Sequence, residues 1–161
     1  MNETVAFAKL FVNVAPENVR EALVRLRRSA ALTNSVVTVV AEYPKITDAF
    51  EGSLSGFIRF IRQSEIVNIV RVARVLNHSK AADLSALVGS TVFSREVLFP
   101  KPLLTGEDLI AQGRKPGPAF KRILFYVETQ QLEGLIFTKE EALKAVSDWQ
   151  YEEEIAEGIH K

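Results

Sequence analysis

Apolar residues recur at every third or fourth position through most of the chain, which is the spacing of an amphipathic α-helix. The clearest early example begins at Pro16, because a proline is tolerated in the first turn of a helix. The apolar positions that follow it are Val19, Ala22, Leu23 and Leu26. This pattern predicts a chain built from helices that each turn one apolar face towards a core.

The segment NSVVTVVAEY is rich in β-branched residues that suit a strand, yet Asn34 at its start is a typical helix N-cap. Because the neighbouring segments are helical, we interpret this segment as a helix that ends at Pro44. Two further amphipathic helices are predicted at about residues 54–63 and 65–77. Residues 83–99 predict a helix, a Gly-Ser loop and a second short helix.

Two prolines, Pro100 and Pro102, form a rigid link after these segments. We place there the boundary between a helical body, residues 1–99, and a helical tail, residues 100–161. Glycine and proline are confined to turns, so the local signals agree with an all-α fold that has no β-sheet of consequence.

The predicted tail begins with a short helix whose start and end are both marked in the sequence. Thr105, followed by Gly106, is a predicted N-cap, and Asp108 falls at the third helical position, as in a capping box. Gly113 then ends this short helix in the left-handed conformation.

A corner joins this short helix to the next one. Arg114 and Lys115 turn the chain, and the next helix starts with Pro116, Gly117 and Pro118, since proline is pre-set for a first helical turn.

The last two predicted helices follow that corner. Gly134 ends the first, and Thr138 with Glu141 forms a second capping box that opens a final helix through about Glu157. We expect Trp149 to be partly buried on this final helix rather than to serve as a base-stacking platform.

Composition narrows the class of protein. A chain of 161 residues, 47% of them hydrophobic, supports one well-buried core or a domain with a small appendage. It has no cysteine, which excludes disulfides and cysteine-ligated zinc.

Residues 1–15 lack the basic start of a signal peptide and contain Glu3 and Lys9, so we expect an amphipathic helix. No apolar run approaches the roughly 18 residues of a membrane span, and we expect a cytoplasmic protein without a membrane partner.

Charge is distributed unevenly, although the formal net charge is zero. Residues 1–125 carry 17 Lys and Arg against 11 Asp and Glu, a balance of +6, and residues 126–161 carry 3 against 9, a balance of −6. A basic body with an acidic tail can present a cationic face without a high isoelectric point. Alternatively, the acidic segment only neutralises its neighbours.

The chain lacks the residue patterns of common catalytic centres. None of its four aspartates stands at the Asp-x-Asp spacing that holds two magnesium ions in nucleotidyl transfer. His78 and His160 are far apart and neither adjoins an aspartate, so we expect His78 to be a surface or capping residue. We therefore assign no catalytic residue and no metal ligand.

Arginines recur three residues apart on the predicted helices. On a helix this spacing places both guanidinium groups on one face, where they can contact successive phosphates of a nucleic acid. The alternative is an ordinary polar stripe on an amphipathic helix. The pairs are Arg25 with Arg28, Arg59 with Arg62, and Arg71 with Arg74.

The corner supplies a second cationic candidate. The first amides of the helix after Pro118 are unpaired, and the helix dipole adds positive charge there, although the prolines remove two possible donors. From the residues alone, both a phosphate cradle and a plain helix–turn–helix corner stay open. The cations around this corner are Arg114, Lys115, Lys121 and Arg122.

The stretch PLLTGEDLIAQGRKPGPAFKRIL, followed by QLEG and TKEEALKAV, resembles the C-terminal region of bacterial tRNA nucleotidyltransferases. These are the CCA-adding and A-adding polymerases related to poly(A) polymerase. The similar features, Pro-Leu-Leu-Thr-Gly, Gly-x-x-Pro-Gly-Pro, Gln-Leu-x-Gly and Thr-x-x-Glu-Ala, span about residues 100–146. Residues 26–77 are more weakly similar to the helical stretch before this motif. The chain departs from the family at Arg114, where an apolar residue is more typical.

The resemblance implies an all-helical body and tail that hold the acceptor–T arm and elbow of tRNA. In the family, a catalytic head with a Gly-Ser loop and an Asp-x-Asp metal pair lies N-terminal to this region and is missing from these residues. Magnesium and CTP or ATP are therefore expected in the head, no cofactor is expected here, and the chain alone is expected to be inactive. The RNA-binding candidates are Arg114, Lys115, Lys121 and Arg122, helped by Arg59, Arg62, Arg71 and Arg74.

A different class of function stays open beside this one. The chain also suits a helical protein-interaction or structural-support module that does not bind RNA. An autonomous enzyme is disfavoured, because the carboxylate pair is missing.

Overall fold

The computed structural model describes the backbone of residues 2–156 and the side chains of residues 2–148. The chain divides into two compact units, the first ending at Phe99 and the second beginning at Pro100. Helices and turns make up the described residues, and no β-strand occurs among them, which confirms the predicted all-α class.

The first unit consists of helices joined by short turns. The predicted helices at its start and at residues 54–63 and 65–77 are all present, with ends that fall a few residues inside the predicted limits. Pro44 lies in a 3-10 turn, Tyr43–Lys45. The helices are α1 (Glu3–Phe11), α2 (Pro16–Arg25), α3 (Ala30–Glu42), α4 (Ile46–Glu51), α5 (Leu54–Ile61), α6 (Ile66–Val75), α7 (Ala81–Val88) and α8 (Arg95–Leu98).

The start of α3 corrects one prediction. The N-cap is Ser29, whose hydroxyl accepts a hydrogen bond from the Leu32 amide at 3.2 Å, and not Asn34. Asn34 lies inside the helix, where its side-chain oxygen accepts a hydrogen bond from Arg20 at 2.9 Å. Both residue types cap helices well, and the cap formed by Ser29 lies five residues before Asn34.

The core of the first unit is centred on α3, which packs against α1, α2 and α6. Two of its β-branched residues, Val36 and Val39, are fully buried, as are Leu23 of α2 and Ile69 of α6. The burial explains why a β-branched segment is helical here: tertiary packing of one apolar face outweighs its modest loss in helix propensity.

The second unit contains α9 (Gly106–Ala111), α10 (Pro118–Leu132) and α11 (Lys139–Ala156). Helix α10 packs against α9 and α11, and its buried Ile123 and Val127 meet Leu109 of α9. Because Leu109 is fully buried, truncation to alanine would cost roughly 2–5 kcal/mol.

Two predictions fall on residues that the structure leaves undescribed. The side chain of Trp149 lies outside the described residues, although its backbone belongs to α11. The predicted helix end at Glu157, and His160, also lie outside the described residues.

Candidate nucleic-acid interface

The end of α9 forms the first half of the corner. Gly113 has φ +80°, its amide donates to the Ile110 carbonyl at 2.8 Å, and the Arg114 amide donates to the Leu109 carbonyl at 3.1 Å. This pair of bonds is a Schellman motif, which requires a left-handed residue at the glycine position. The predicted helix stop at Gly113 is therefore confirmed, and it turns Arg114 and Lys115 out of the helix.

The start of α10 forms the second half. The helix begins at Pro118, the last residue of the predicted Pro116-Gly117-Pro118 start, after an extended Gly117, and no acidic residue lies in its first turn. Pro118 has no N–H, and the Phe120 amide donates to the Gly117 carbonyl at 3.0 Å. Fewer backbone donors are thus available than at an ordinary helix start, so most of the positive charge at this corner comes from side chains.

Four cationic side chains surround this corner, and we call them the cationic corner. Lys115, Lys121 and Arg122 are exposed, and Arg114 is half-buried. Lys121 and Arg122 line one surface groove of about 480 Å³ on α10. Arg114 and Lys115 lie on the segment that leads into the same helix.

The groove beside Lys121 and Arg122 also contains two aromatic residues that the sequence analysis did not single out. Phe125 is 56% exposed and Tyr126 is half-buried, and both line the groove together with Thr129. The signal in the sequence is the spacing of four residues from Lys121 to Phe125 and from Arg122 to Tyr126. We call this surface the basic groove.

Helix α9 is held in place beside the corner by its own N-terminus. The Thr105 hydroxyl and the Asp108 carboxylate form the predicted capping box, with the Thr105 amide donating to Asp108 at 2.8 Å. A Cβ added to Gly106 would lie 3.9 Å from the Phe120 ring, so this glycine lies next to the first turn of α10.

Gly134 terminates α10 at its C-terminal end, as predicted. This glycine has φ +71°, and the Leu135 amide donates to the Gln130 carbonyl at 2.9 Å.

The predicted second capping box is also present at the start of α11, since Glu141 accepts from the Thr138 amide at 3.0 Å and the Glu141 amide donates to the Thr138 hydroxyl at 3.2 Å.

The arginine pair of α6 lies on a single surface of the first unit. Arg71 and Arg74 are both exposed and line a groove of about 500 Å³ together with Asn2, Val5 and Val75. Their spacing of three residues therefore places both guanidinium groups on one helix face, as the sequence indicates.

The pair Arg59 and Arg62, at the C-terminal end of α5, divides into two environments. The Arg62 guanidinium donates through Nε to the Leu98 carbonyl and lies 5.2 Å from the centroid of the Phe99 ring. Arg59 instead lines a concave surface that it shares with the acidic residues Glu42 and Asp48. Arg62 is therefore held by contacts within the first unit, and Arg59 shares its surface with two acidic residues.

The pair Arg25 and Arg28 does not share a helix face. Helix α2 ends at Arg25, and Arg27 adopts a left-handed conformation with φ +53°, so Arg28 follows the turn. Arg25 pairs with Glu21 at 2.6 Å on α2, and Arg28 pairs with Glu3 of α1 at 3.1 Å. The expectation that both guanidinium groups lie on one helix face is wrong for this pair.

Among residues 2–148, no group of three or more His, Asp or Glu side chains could hold a metal ion. His78 is half-buried, and its Nδ1 accepts a hydrogen bond from the Lys80 amide at 3.1 Å in the turn before α7. No helix in the described part of the chain is long and apolar enough to cross a membrane.

Comparison with known proteins defines the class. Residues 1–146 match the family described as "tRNA nucleotidyltransferase domain 2 putative", and the chain belongs to this family. It is also 50% identical over 44 residues to an A-adding tRNA nucleotidyltransferase of Halalkalibacterium halodurans (strain ATCC BAA-125 / DSM 18197 / FERM 7344 / JCM 9153 / C-125). That match covers 27% of this chain and 10% of the relative. No solved structure matches.

Proposed function

We propose that this chain binds tRNA through its phosphate backbone, as the helical tRNA-holding region of a tRNA nucleotidyltransferase. The observation that carries the proposal is the cationic corner, where Lys115, Lys121 and Arg122 are exposed beside the N-terminus of α10. Long cations beside a helix N-terminus suit phosphate oxygens, because side-chain charge and helix dipole have the same sign there.

The groove of Arg71 and Arg74 supplies a further cationic contact on the first unit. Both side chains are exposed, and no acidic side chain lines their groove with them. Arg59 and Arg62 contribute less, because Arg59 shares its surface with Glu42 and Asp48 and Arg62 is held by Leu98 and Phe99.

Phosphate contacts position an RNA without reading its sequence. Two folded tRNAs of different sequence should therefore bind with similar affinity, and an unstructured single strand should bind more weakly, because A-form RNA is recognised mostly by its shape and backbone.

The test is a binding titration of labelled tRNA with the wild-type chain and with the Lys115→Glu and Arg122→Glu variants. Each charge reversal should weaken binding to all tRNAs alike, and circular dichroism should show unchanged helix content because both side chains are exposed. The matched control is Lys144→Glu, an exposed lysine of α11 with the same change in charge. Full tRNA binding by both corner variants would favour the protein-partner or structural-support role instead.

Nucleotide addition is proposed to reside in a catalytic head of the family, which would also bind magnesium and CTP or ATP. The sequence of this chain has no Asp-x-Asp pair to hold two magnesium ions. The purified chain should therefore add neither CMP nor AMP to tRNA in the presence of magnesium. Incorporation by a preparation free of contaminating enzyme would refute this part of the proposal.

A further inference from the structure

Helix α10 carries an exposed aromatic residue outside its packed face, Phe125, whereas Tyr126 is partly packed against the core of the second unit. Ile123 and Val127 point into the core of the second unit and are 2% exposed each. Phe125 lies on another face and is 56% exposed, one helical turn after Lys121. A large ring so exposed beside a cation marks a candidate binding surface more than a packing residue.

The basic groove places charge and aromatic surface together. Lys121 and Arg122 lie at its N-terminal end, and Phe125 and Tyr126 follow one turn later, in a groove of about 480 Å³. Proteins that hold unpaired nucleotides combine these two elements, since cations contact the phosphates and aromatic rings stack on the bases.

A second cleft on α10 differs in its chemistry. Phe125 also lines a cleft of about 390 Å³ whose other walls include Pro100, Leu103 and Leu124. The charged residue in that lining is Glu128, which would repel a phosphate. The side of Phe125 that faces Lys121 is therefore the better place for a nucleotide.

We propose that the basic groove binds an unpaired RNA nucleobase, which stacks on Phe125 while Lys121 and Arg122 contact the adjoining phosphates. The proposal rests on the proposed tRNA binding and adds a base contact to its phosphate contacts. Stacking on an aromatic ring tolerates any base, so this contact selects for an unpaired nucleotide rather than for a sequence.

The test uses two RNA probes with the full chain: a fully paired duplex, and the same duplex with one bulged 2-aminopurine nucleotide. The bulged duplex should bind roughly 5- to 150-fold more tightly, the range given by one aromatic stack, and the 2-aminopurine fluorescence should be quenched on binding. Equal affinities for the two probes, or no quenching, would overturn the proposal.

Two substitutions of Phe125 assign the effect to the ring. Phe125→Ala should abolish both the extra affinity and the quenching while leaving binding of the paired duplex unchanged, and Phe125→Trp should retain both. Because Phe125 is exposed, neither change should unfold the chain, which circular dichroism checks. If Phe125→Ala leaves both affinities unchanged, stacking is overturned and the face is better explained as a protein contact.

The Lys121→Glu variant separates this proposal from the phosphate proposal. It should weaken both duplexes, and the Phe125→Ala variant should weaken only the bulged one. If Lys121→Glu changes neither affinity but the bulge still strengthens binding through Phe125, the phosphate contact of Lys121 is overturned and stacking on Phe125 is supported. If Phe125→Ala weakened binding to both duplexes to the same extent, the ring would support the fold, and the stacking proposal would be overturned.

Discussion

Lys139, the first residue of α11, donates from its ammonium group to the carboxylate of Asp108 in α9, 31 residues earlier in the chain. The same carboxylate accepts hydrogen bonds from the Thr105 amide at 2.8 Å and the Thr105 hydroxyl at 2.7 Å. One side chain therefore caps α9 and links it to α11, which keeps the helix before the cationic corner in a defined position.

This relationship predicts a depressed pKa for Asp108. The bond from Lys139, and next those from Thr105, hold the pKa of Asp108 at about 2, below its ordinary value of 3.8. A carboxyl with a lowered folded-state pKa stabilises the fold above its unfolded pKa, and that contribution is lost as the pH falls from about 3.8 through about 2. A titration of the Asp108 carboxyl carbon by NMR measures this pKa directly.

A variant pair isolates the cause of the shift. Lys139→Met should move the pKa of Asp108 up towards its ordinary value, because the largest cause of the depression is removed. Lys144→Met, on the same helix, should leave the pKa of Asp108 in place. An unshifted Asp108 pKa in the wild-type chain would show that the ion pair does not form in solution.

Gly113 and Gly117 differ in what an alanine would cost. Gly113 has φ +80° with no heavy atom within 4 Å of an added Cβ, so Gly113→Ala is strained by its backbone conformation alone, by roughly 1–2 kcal/mol. Gly117 is extended at φ 179°, a conformation that alanine adopts readily. Urea unfolding should therefore show a lower free energy of unfolding for Gly113→Ala and a much smaller change for Gly117→Ala. Equal losses would contradict the assigned conformations.

Substitution of Arg62 should lower the stability of the fold, whereas substitution of Arg71 should weaken tRNA binding. Arg62→Met removes the bond to the Leu98 carbonyl and the contact with Phe99, so it should lower the free energy of unfolding by roughly 1.5–3 kcal/mol. Arg71→Met removes an exposed cation and should leave stability within about 0.5 kcal/mol while weakening tRNA binding. Thermal unfolding and tRNA titration of both variants would test this, and the opposite assignment of the two effects would contradict it.

Local signals made much of the second unit predictable. Thr105 and Asp108 form the hydrogen bonds of a capping box within four residues of sequence. Gly113 and Gly134 end their helices in the left-handed conformation that glycine favours. These features depend on neighbours in sequence, so the helix boundaries around the cationic corner could be read before the structure was known.

Features set by distant contacts could not be read in this way. The helix α3 has two good capping residues, Ser29 and Asn34, and the earlier start brings Leu32 and Thr33 into the helix, where Leu32 packs against the core and Thr33 is buried. Likewise, Arg62 reaches the Leu98 carbonyl 36 residues away, a contact that helical spacing does not reveal.

The exposure of Phe125 was missed for a related reason. An aromatic residue in a helix is usually expected in the core, and which face of α10 is buried depends on where α9 and α11 pack. Because Ile123 and Val127 occupy the core face, Phe125 is left on the surface, in the basic groove.

The most direct test of the proposed tRNA binding is its salt dependence. The association constant of the chain with a folded tRNA, measured at several salt concentrations, should fall steeply on a log–log plot, with a slope of roughly 0.7–0.9 for each phosphate neutralised. The slope should decrease by about 1 in Lys115→Glu, since one phosphate contact is lost, and should be unchanged in Lys144→Glu. An affinity that does not change with salt, or an equal slope in the wild-type chain and Lys115→Glu, would contradict phosphate binding at the cationic corner.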